Sequence, residues 1–205
     1  MVMALDMTPT RTLLLAAFGA VCLFVSRDGA HAADVATGKA RAAACAGCHG
    51  ADGVSAKPLV PSLAGEPDDF IQWQLVFFRG GSRKSQVMGP IAKALTDEQI
   101  RNLGAYYASR RPPKPHPPVA ADALAAAGAK VAAEQHCGSC HGADYSGAGP
   151  AARLAGQRED VLLKALRDFK SGVRLGSGVA SMSDVAYDLS DQDMRALAHF
   201  MATRD

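Results

Sequence analysis

The sequence predicts an all-α protein built from two tandem copies of one small helical domain. The second half of the chain repeats the residue spacing of the first half. In both halves apolar residues recur at helical spacing behind residues that are typical of helix N-caps. No segment alternates apolar and polar residues in the way that a half-buried strand does.

Four matched pairs of segments define the repeat. Their offset is 91 residues in the first three pairs and 94 in the last, so a small insertion falls in the glycine-rich segment at residues 176–178. The pairs are Leu63–Gly65 with Leu154–Gly156, Phe78 with Phe169, Arg83 with Arg174, and Leu95–Ile100 with Leu189–Met194.

The first helix of each copy is predicted in an alanine-rich segment, at residues 36–44 and 121–136, although Gly38 and Gly128 weaken both helices. The middle helix begins after Pro67 in copy one and at Glu159 in copy two, and glycine ends both.

The last helix of each copy has an N-cap signal. Thr96 with Gln99 forms a full capping box, and Ser190 with Asp193 forms an approximate one. Behind each cap, apolar residues at i, i+3 and i+7 predict a stripe that faces the core.

The N-terminal 32 residues have the order of a cleaved secretion signal. Arg11 precedes an apolar run at residues 13–25, and small residues follow at 30–33. The run is shorter than the roughly 20 residues of a membrane-spanning helix, which argues against an uncleaved anchor. We expect a mature protein that starts near Ala33 in the periplasm, and Cys22 is then removed with the signal.

The remaining chain is predicted to hold an N-terminal domain at 33–111, a linker at 112–119 and a C-terminal domain at 120–205. Five of the eleven prolines lie between Pro112 and Pro118. Such a run favours an extended, semi-rigid polyproline conformation, so we interpret it as a strut. A proline motif that binds a partner domain is the alternative.

The formal net charge of +2 is too small to indicate nucleic-acid binding. Aromatic residues make up only 6% of the chain. A large buried cofactor would supply the missing apolar bulk.

Cysteine spacing indicates what that cofactor is. The four cysteines after the signal lie in Cys45-Ala46-Gly47-Cys48-His49 and Cys137-Gly138-Ser139-Cys140-His141. Each segment is a C-x-x-C-H motif, the attachment signature of covalent haem. Two thiols on one helical turn reach the two vinyl groups of one porphyrin, and the adjacent histidine binds the iron. The sequence therefore predicts two haem c groups.

Other uses of paired cysteines fit less well. In a zinc ribbon the two pairs are usually 15 to 20 residues apart, whereas 88 residues separate Cys48 from Cys137. A thioredoxin-like pair needs a βαβ context. Two structural disulfides fit an exported protein, but they leave both following histidines unexplained.

A methionine in each copy is the candidate for the second iron ligand. Met88 lies 39 positions after His49, in a segment at 85–90 that is predicted to be a loop. Met182 lies 41 positions after His141 and occupies the equivalent place. Two further methionines match Ile100 and Tyr107 of copy one, so they are predicted to pack in the core; they are Met194 and Met201.

The remaining histidines rank low as ligands because none has a repeat partner that could do the same work. His31 leaves with the signal, and His116 lies in the proline-rich linker. For His136 and His199 we expect a solvated or hydrogen-bonded role.

With these motifs the chain resembles the dihaem cytochromes c4 over nearly all of residues 33–205. The resemblance implies two tandem cytochrome c-like domains with His/Met ligation at both irons. It also implies that the carbonyl of Pro61 orients the first histidine. Copy two departs from the pattern, because Ala152 stands at the aligned place and Pro150 lies two positions earlier. The segments that carry the resemblance are 60–65, 78–83 and 88–95 in copy one, and 153–157 and 182–185 in copy two.

The resemblance further implies a periplasmic carrier that moves one electron at a time from a quinol-oxidising complex, quinol–cytochrome c reductase, to a terminal oxidase. Methionine opposite histidine raises the reduction potential, which suits such a carrier. Two strong ligands leave no iron position for peroxide, so we expect no enzyme activity and disfavour a dihaem peroxidase. The alternative is the dihaem subunit of a flavin- or metal-dependent dehydrogenase. Loose membrane association and the choice between monomer and dimer stay open.

Overall fold

A computed structural model describes residues 32–115, 122–174 and 180–205 of the chain. The described residues from Ala33 onwards belong to one compact unit. The regular secondary structure of the described residues is helical apart from one isolated bridge between Ala148 and Ala151, which confirms the all-α prediction. None of the helices in these ranges is long and apolar enough to cross a bilayer. Several predictions lie outside the described residues: nearly all of the secretion signal, the end of the linker with His116, and the insertion at 176–178.

The helices of the described residues repeat in two sets, and each copy of the repeat contributes five. The short second helix of each set carries the C-x-x-C-H motif. In chain order they are α1 (Val35–Ala42), α2 (Ala46–His49), α3 (Asp68–Gly80), α4 (Met88–Lys93), α5 (Asp97–Ala108), α6 (Ala123–Glu134), α7 (Gly138–His141), α8 (Glu159–Lys170), α9 (Ala180–Asp188) and α10 (Asp191–Ala202).

The caps of α5 and α10 follow the sequence closely. Thr96 accepts a hydrogen bond from the Gln99 main-chain N–H, and Gln99 accepts one in return from Thr96. The same reciprocal pair joins Ser190 and Asp193, so the second capping box is complete rather than approximate. The predicted loop at 85–90 is shorter than expected, because α4 begins at Met88.

The first and last helices of each copy cross at a glycine. A Cβ atom on Gly38 would lie 2.0 Å from the carbonyl oxygen of Asn102, and one on Gly128 would lie 2.1 Å from that of Ala196. These glycines lower helix propensity, as the sequence indicates. The structure adds the reason for them: only a residue without a side chain lets the two helix backbones approach so closely.

Each copy has its own hydrophobic core around its last helix. Met194 and Met201 are both buried in the second core, which agrees with their predicted packing role. The buried members of the first core are Ala42, Ile71, Leu95, Ile100, Leu103, Tyr106 and Tyr107. Those of the second are Ala132, Leu162, Leu189, Met194, Leu197, Ala198, Met201 and Ala202.

The first prolines of the linker lie against one repeated turn in each copy. Gly65 and Gly156 both have a positive φ, at 72° and 69°. A Cβ on Gly65 would lie 2.8 Å from Cβ of Pro112, and one on Gly156 would lie 2.9 Å from the carbonyl oxygen of Pro113. These glycines therefore meet both a backbone requirement and a packing requirement.

His199 joins the starts of two helices in copy two. Its Nε2 lies 2.7 Å from a carboxylate oxygen of Asp122, the N-cap of α6, and its Nδ1 lies 2.9 Å from a carboxylate oxygen of Glu159 at the start of α8. Hydrogen bonds to Asp122 and then to Glu159 raise the pKa of His199 above its usual value of 6.5. This is the hydrogen-bonded role that was predicted for it.

We predict that Gly38→Ala and Gly128→Ala each lower the free energy of unfolding by about 1–3 kcal/mol, because the new methyl group overpacks a helix crossing. Denaturant unfolding of the haem-loaded protein, followed by circular dichroism, measures the change. Gly80→Ala is the matched control, because a Cβ there meets nothing within 4 Å. Equal stabilities for all three variants would contradict the crossing argument.

We also predict that His199 makes stability depend on pH. The pKa of His199 is raised in the folded protein. Its contribution to the free energy of unfolding is therefore full below about pH 6.5 and is lost as the pH rises through the folded pKa. The difference in unfolding free energy between wild type and His199→Gln should therefore shrink as the pH rises from 6 to 9. A constant difference for His199→Gln would refute the linkage.

Candidate functional site

The two C-x-x-C-H motifs fold in the same way. Each forms a single helical turn whose first cysteine is the N-cap and whose histidine ends the turn. In both motifs the first cysteine is half-buried and the second is exposed, and none of the four forms a disulfide. The two thiols of each motif therefore lie about one turn apart on one short helix, as attachment to a single porphyrin requires.

Both motif histidines are buried and held by a main-chain carbonyl. His49 is 7% exposed and His141 is 8% exposed. Nδ1 of His49 lies 2.9 Å from the Pro61 carbonyl oxygen, and Nδ1 of His141 lies 2.8 Å from that of Ala152. A carbonyl only accepts hydrogen bonds, so Nδ1 carries the proton and Nε2 keeps its lone pair. Metal-binding histidines have this arrangement.

The histidine–carbonyl contact also forms in copy two, although the sequence departs from the family pattern there. Ala152 replaces the expected proline. Its carbonyl nevertheless accepts a hydrogen bond from His141, just as the Pro61 carbonyl accepts one from His49. The reason is that the acceptor belongs to the main chain, which any residue supplies. Pro150 is exposed and takes no part in the contact.

The surroundings of both histidines favour the neutral imidazole. Burial lowers the pKa of His49 and of His141, and it outweighs the opposite effect of the carbonyl hydrogen bonds. The neutral form is the one that binds iron.

The two candidate methionines lie on helices in both copies. Met88 is half-buried at the first residue of α4, and its N–H donates to Oγ of Ser85 over 3.0 Å. Met182 is half-buried in the first turn of α9. Neither lies in a hydrophobic core, unlike Met194 and Met201. The assignment of Met88 and Met182 as iron ligands stays a prediction.

The donor set of each copy fits one covalent haem. It consists of two thiols on one helical turn, a buried imidazole with Nε2 free, and a thioether on a later helix. Within residues 32–115, 122–174 and 180–205, no three His, Cys, Asp or Glu side chains gather as a separate metal-ion site.

Sequence reasoning missed two arginines at the contact between the copies, each of which stacks on a phenylalanine ring. Arg83 lies over the ring of Phe78 and Arg174 over that of Phe169, at 4.5 and 4.4 Å from the ring centres. Both guanidinium groups donate to the same Gln74 side-chain oxygen, at 2.6 and 3.0 Å. The repeat spacing of these Phe and Arg residues was the available signal.

Burial lowers the pKa of Arg83 to about 9 and that of Arg174 to about 10. Mutual repulsion of the two cations adds to the change at Arg83. Arg174 belongs to copy two and Gln74 to copy one, so this contact joins the two copies.

Comparison with known proteins places both halves among cytochromes. Residues 125–205 match the family described as cytochrome c, and residues 33–106 match the family described as cytochrome c oxidase, cbb3-type, subunit III. The chain is 32% identical to cytochrome c4 of Azotobacter vinelandii, over 84% of this chain and 90% of that one.

Two further relatives cover most of the chain. A thiosulfate dehydrogenase electron acceptor of Thiomonas intermedia is 33% identical, over 80% of this chain and 79% of the relative. The crystal structure of reduced cytochrome c4 from Pseudomonas stutzeri superposes with a TM-score of 0.78 at 29% identity, over 85% of this chain and all of that one.

These comparisons agree with the repeat, the fold and the two donor sets described above. The matched families cover both C-x-x-C-H motifs, so the chain carries two covalently bound haem c groups and is a dihaem electron carrier. From its identity to Azotobacter cytochrome c4 over most of both chains, we conclude that the chain belongs to the cytochrome c4 family.

Proposed function

We propose that this protein is a periplasmic carrier that takes single electrons from a quinol-oxidising complex and delivers them to a terminal oxidase. The observation that carries the proposal is the repeated histidine geometry: each copy presents one buried imidazole, held by a main-chain carbonyl, with Nε2 free. Two equivalent sites of this kind suit successive one-electron transfers.

The proposed site has the same roles in each copy. The cysteines would hold the porphyrin, the histidine and the methionine would bind the iron, and the bound haem would supply a one-electron Fe(III)/Fe(II) couple. The chain fixes the imidazole and keeps water from it by burial. The residues are Cys45, Cys48, His49 and Met88 in copy one, and Cys140, Cys137, His141 and Met182 in copy two.

The ligand chemistry favours a carrier over an enzyme. Methionine sulfur favours ferrous iron and raises the potential, which suits the oxidising end of a respiratory chain. With two protein ligands bound, each iron would have no position left for oxygen or peroxide. We therefore propose that catalysis belongs to the partners of this protein.

The location and the domain limits complete the proposal. A leader at residues 1–32 would send the chain to the periplasm. We assign one haem domain to residues 33–111 and the other to 120–205, with the linker at 112–119 between them.

A dehydrogenase partner is the second candidate. It is favoured by the relative from Thiomonas intermedia, whose name makes it the electron acceptor of thiosulfate dehydrogenase. In this case a dehydrogenase, flavin- or metal-dependent, would reduce the haems in place of a quinol-oxidising complex.

We predict that Met88→Ala and Met182→Ala each lower the reduction potential of one haem and open that iron to small ligands such as carbon monoxide. Redox titration and optical spectra of the purified variants measure both effects. Met194→Leu is the control, because Met194 is buried in the core and the change conserves volume. The ligand assignment is wrong for any methionine whose alanine variant behaves like this control.

We predict that the native protein, purified from the periplasmic fraction by its haem absorbance, starts near Ala33 and holds two haems per chain. It should elute from a sizing column without another subunit and be oxidised by membranes that contain a terminal oxidase. Co-elution with a stoichiometric flavin- or metal-bearing chain would instead support the dehydrogenase candidate.

A further inference from the structure

The two copies are joined by a buried side-chain amide. Gln157 of copy two makes a reciprocal pair of hydrogen bonds with the main chain of Ser62 in copy one. The Ser62 N–H donates to Oε1 of Gln157, and Nε2 of Gln157 donates to the Ser62 carbonyl, both over 2.9 Å. Gln157 is 6% exposed and Ser62 is 2% exposed. The amide therefore satisfies both main-chain groups of one residue.

The repeat places a carboxyl group at the matching position of the other copy. Glu66 corresponds to Gln157, and Arg153 corresponds to Ser62, both at the offset of 91 residues. The Arg153 N–H donates to Oε2 of Glu66 over 2.8 Å, which is the first half of the reciprocal pair. A carboxylate only accepts, so the second half, a bond to the Arg153 carbonyl, requires a protonated acid.

The surroundings of Glu66 favour the protonated acid. The side chain is 4% exposed. Arg153 and Arg174 of copy two are the cations that face it, and Gln157 adds a neutral hydrogen bond. Burial raises the pKa of Glu66 to about 8, because it outweighs the Arg153 N–H, the Gln157 side chain and the two cations, all of which favour the ionised form. The negative charge of the nearby Asp168 raises the pKa of Arg83 and of Arg174, which opposes the effect of burial on both.

The contact also adjoins a haem ligand. The Arg153 N–H and the Ala152 carbonyl belong to one peptide group, and that carbonyl holds Nδ1 of His141. Glu66 of copy one is thus one peptide group away from the imidazole of copy two.

We propose that Glu66 is a positioning residue that acts as a neutral carboxylic acid and donates a hydrogen bond to the Arg153 carbonyl. This bond fixes both the contact between the copies and the peptide group that orients His141. The inference goes beyond the carrier role and holds for either electron donor. When the copies separate, Glu66 meets water and releases its proton. The contact therefore weakens as the pH rises from about 5 towards 8, because only the joined state holds the proton.

Amide hydrogen exchange of the haem-loaded protein between pH 5 and pH 8 tests this proposal. The measured quantity is the opening constant at the Ser62 and Arg153 amides, after correction for the intrinsic exchange rate. In wild type it should rise by up to about tenfold per pH unit relative to Glu66→Gln, since one proton is released on opening. Glu66→Gln itself should match or exceed wild-type protection at pH 5, because its amide supplies both hydrogen bonds.

Gln157→Glu is the converse variant, because it places a second acid at the equivalent position. Its opening constant should rise by up to about a hundredfold per pH unit relative to Glu66→Gln, since two protons are released. Equal pH profiles for wild type and Glu66→Gln would overturn the proposal, as would poorer protection of Glu66→Gln at pH 5. None of these readouts depends on the redox partner, so they stand apart from the test of the carrier role.

Discussion

One peptide group in each copy supports both the motif histidine and the contact between the copies. In copy one it joins Pro61 to Ser62: its carbonyl accepts from His49, and its N–H donates to Gln157 of the other copy. In copy two the equivalent group contacts His141 and Glu66. Hydrogen bonds from the following residues to Gly53 or Tyr145, and from the turn glycine to the last helix, hold each group in place. The orientation of both imidazoles depends on this turn.

The sequence was sufficient for the parts of the fold that depend on local chemistry. Covalent attachment of haem requires two thiols and a histidine at fixed spacing, so the C-x-x-C-H motifs predicted the cofactor and its number. Helix caps use nearby side chains, and the boxes at Thr96 and Ser190 formed as expected or more completely. The repeat then predicted that whatever held for one copy would hold for the other.

Features that depend on distant contacts could not be predicted in the same way. Gly38 and Gly128 count against a helix when their own segments are considered, because their partners lie more than 60 residues away in the sequence. The Ala152 carbonyl has no signature, since every residue has one. Spacing likewise could not predict that both candidate methionines, Met88 and Met182, lie in the first turn of a helix.

The contact between the copies is nearly symmetric, and Glu66 is the residue that makes its two halves differ. A duplicated turn supplies each copy with a main-chain donor and acceptor and with a side chain that reaches the other copy. With glutamine at both positions, the two halves of the contact would be alike and neither would titrate. With glutamate at one of them, a single proton distinguishes the half that adjoins His141 from the half that adjoins His49. The linker prolines pack on the same two turns. Loosening of the Glu66 contact therefore affects the turn of copy two that packs on the linker, contacts copy one and holds the His141 imidazole.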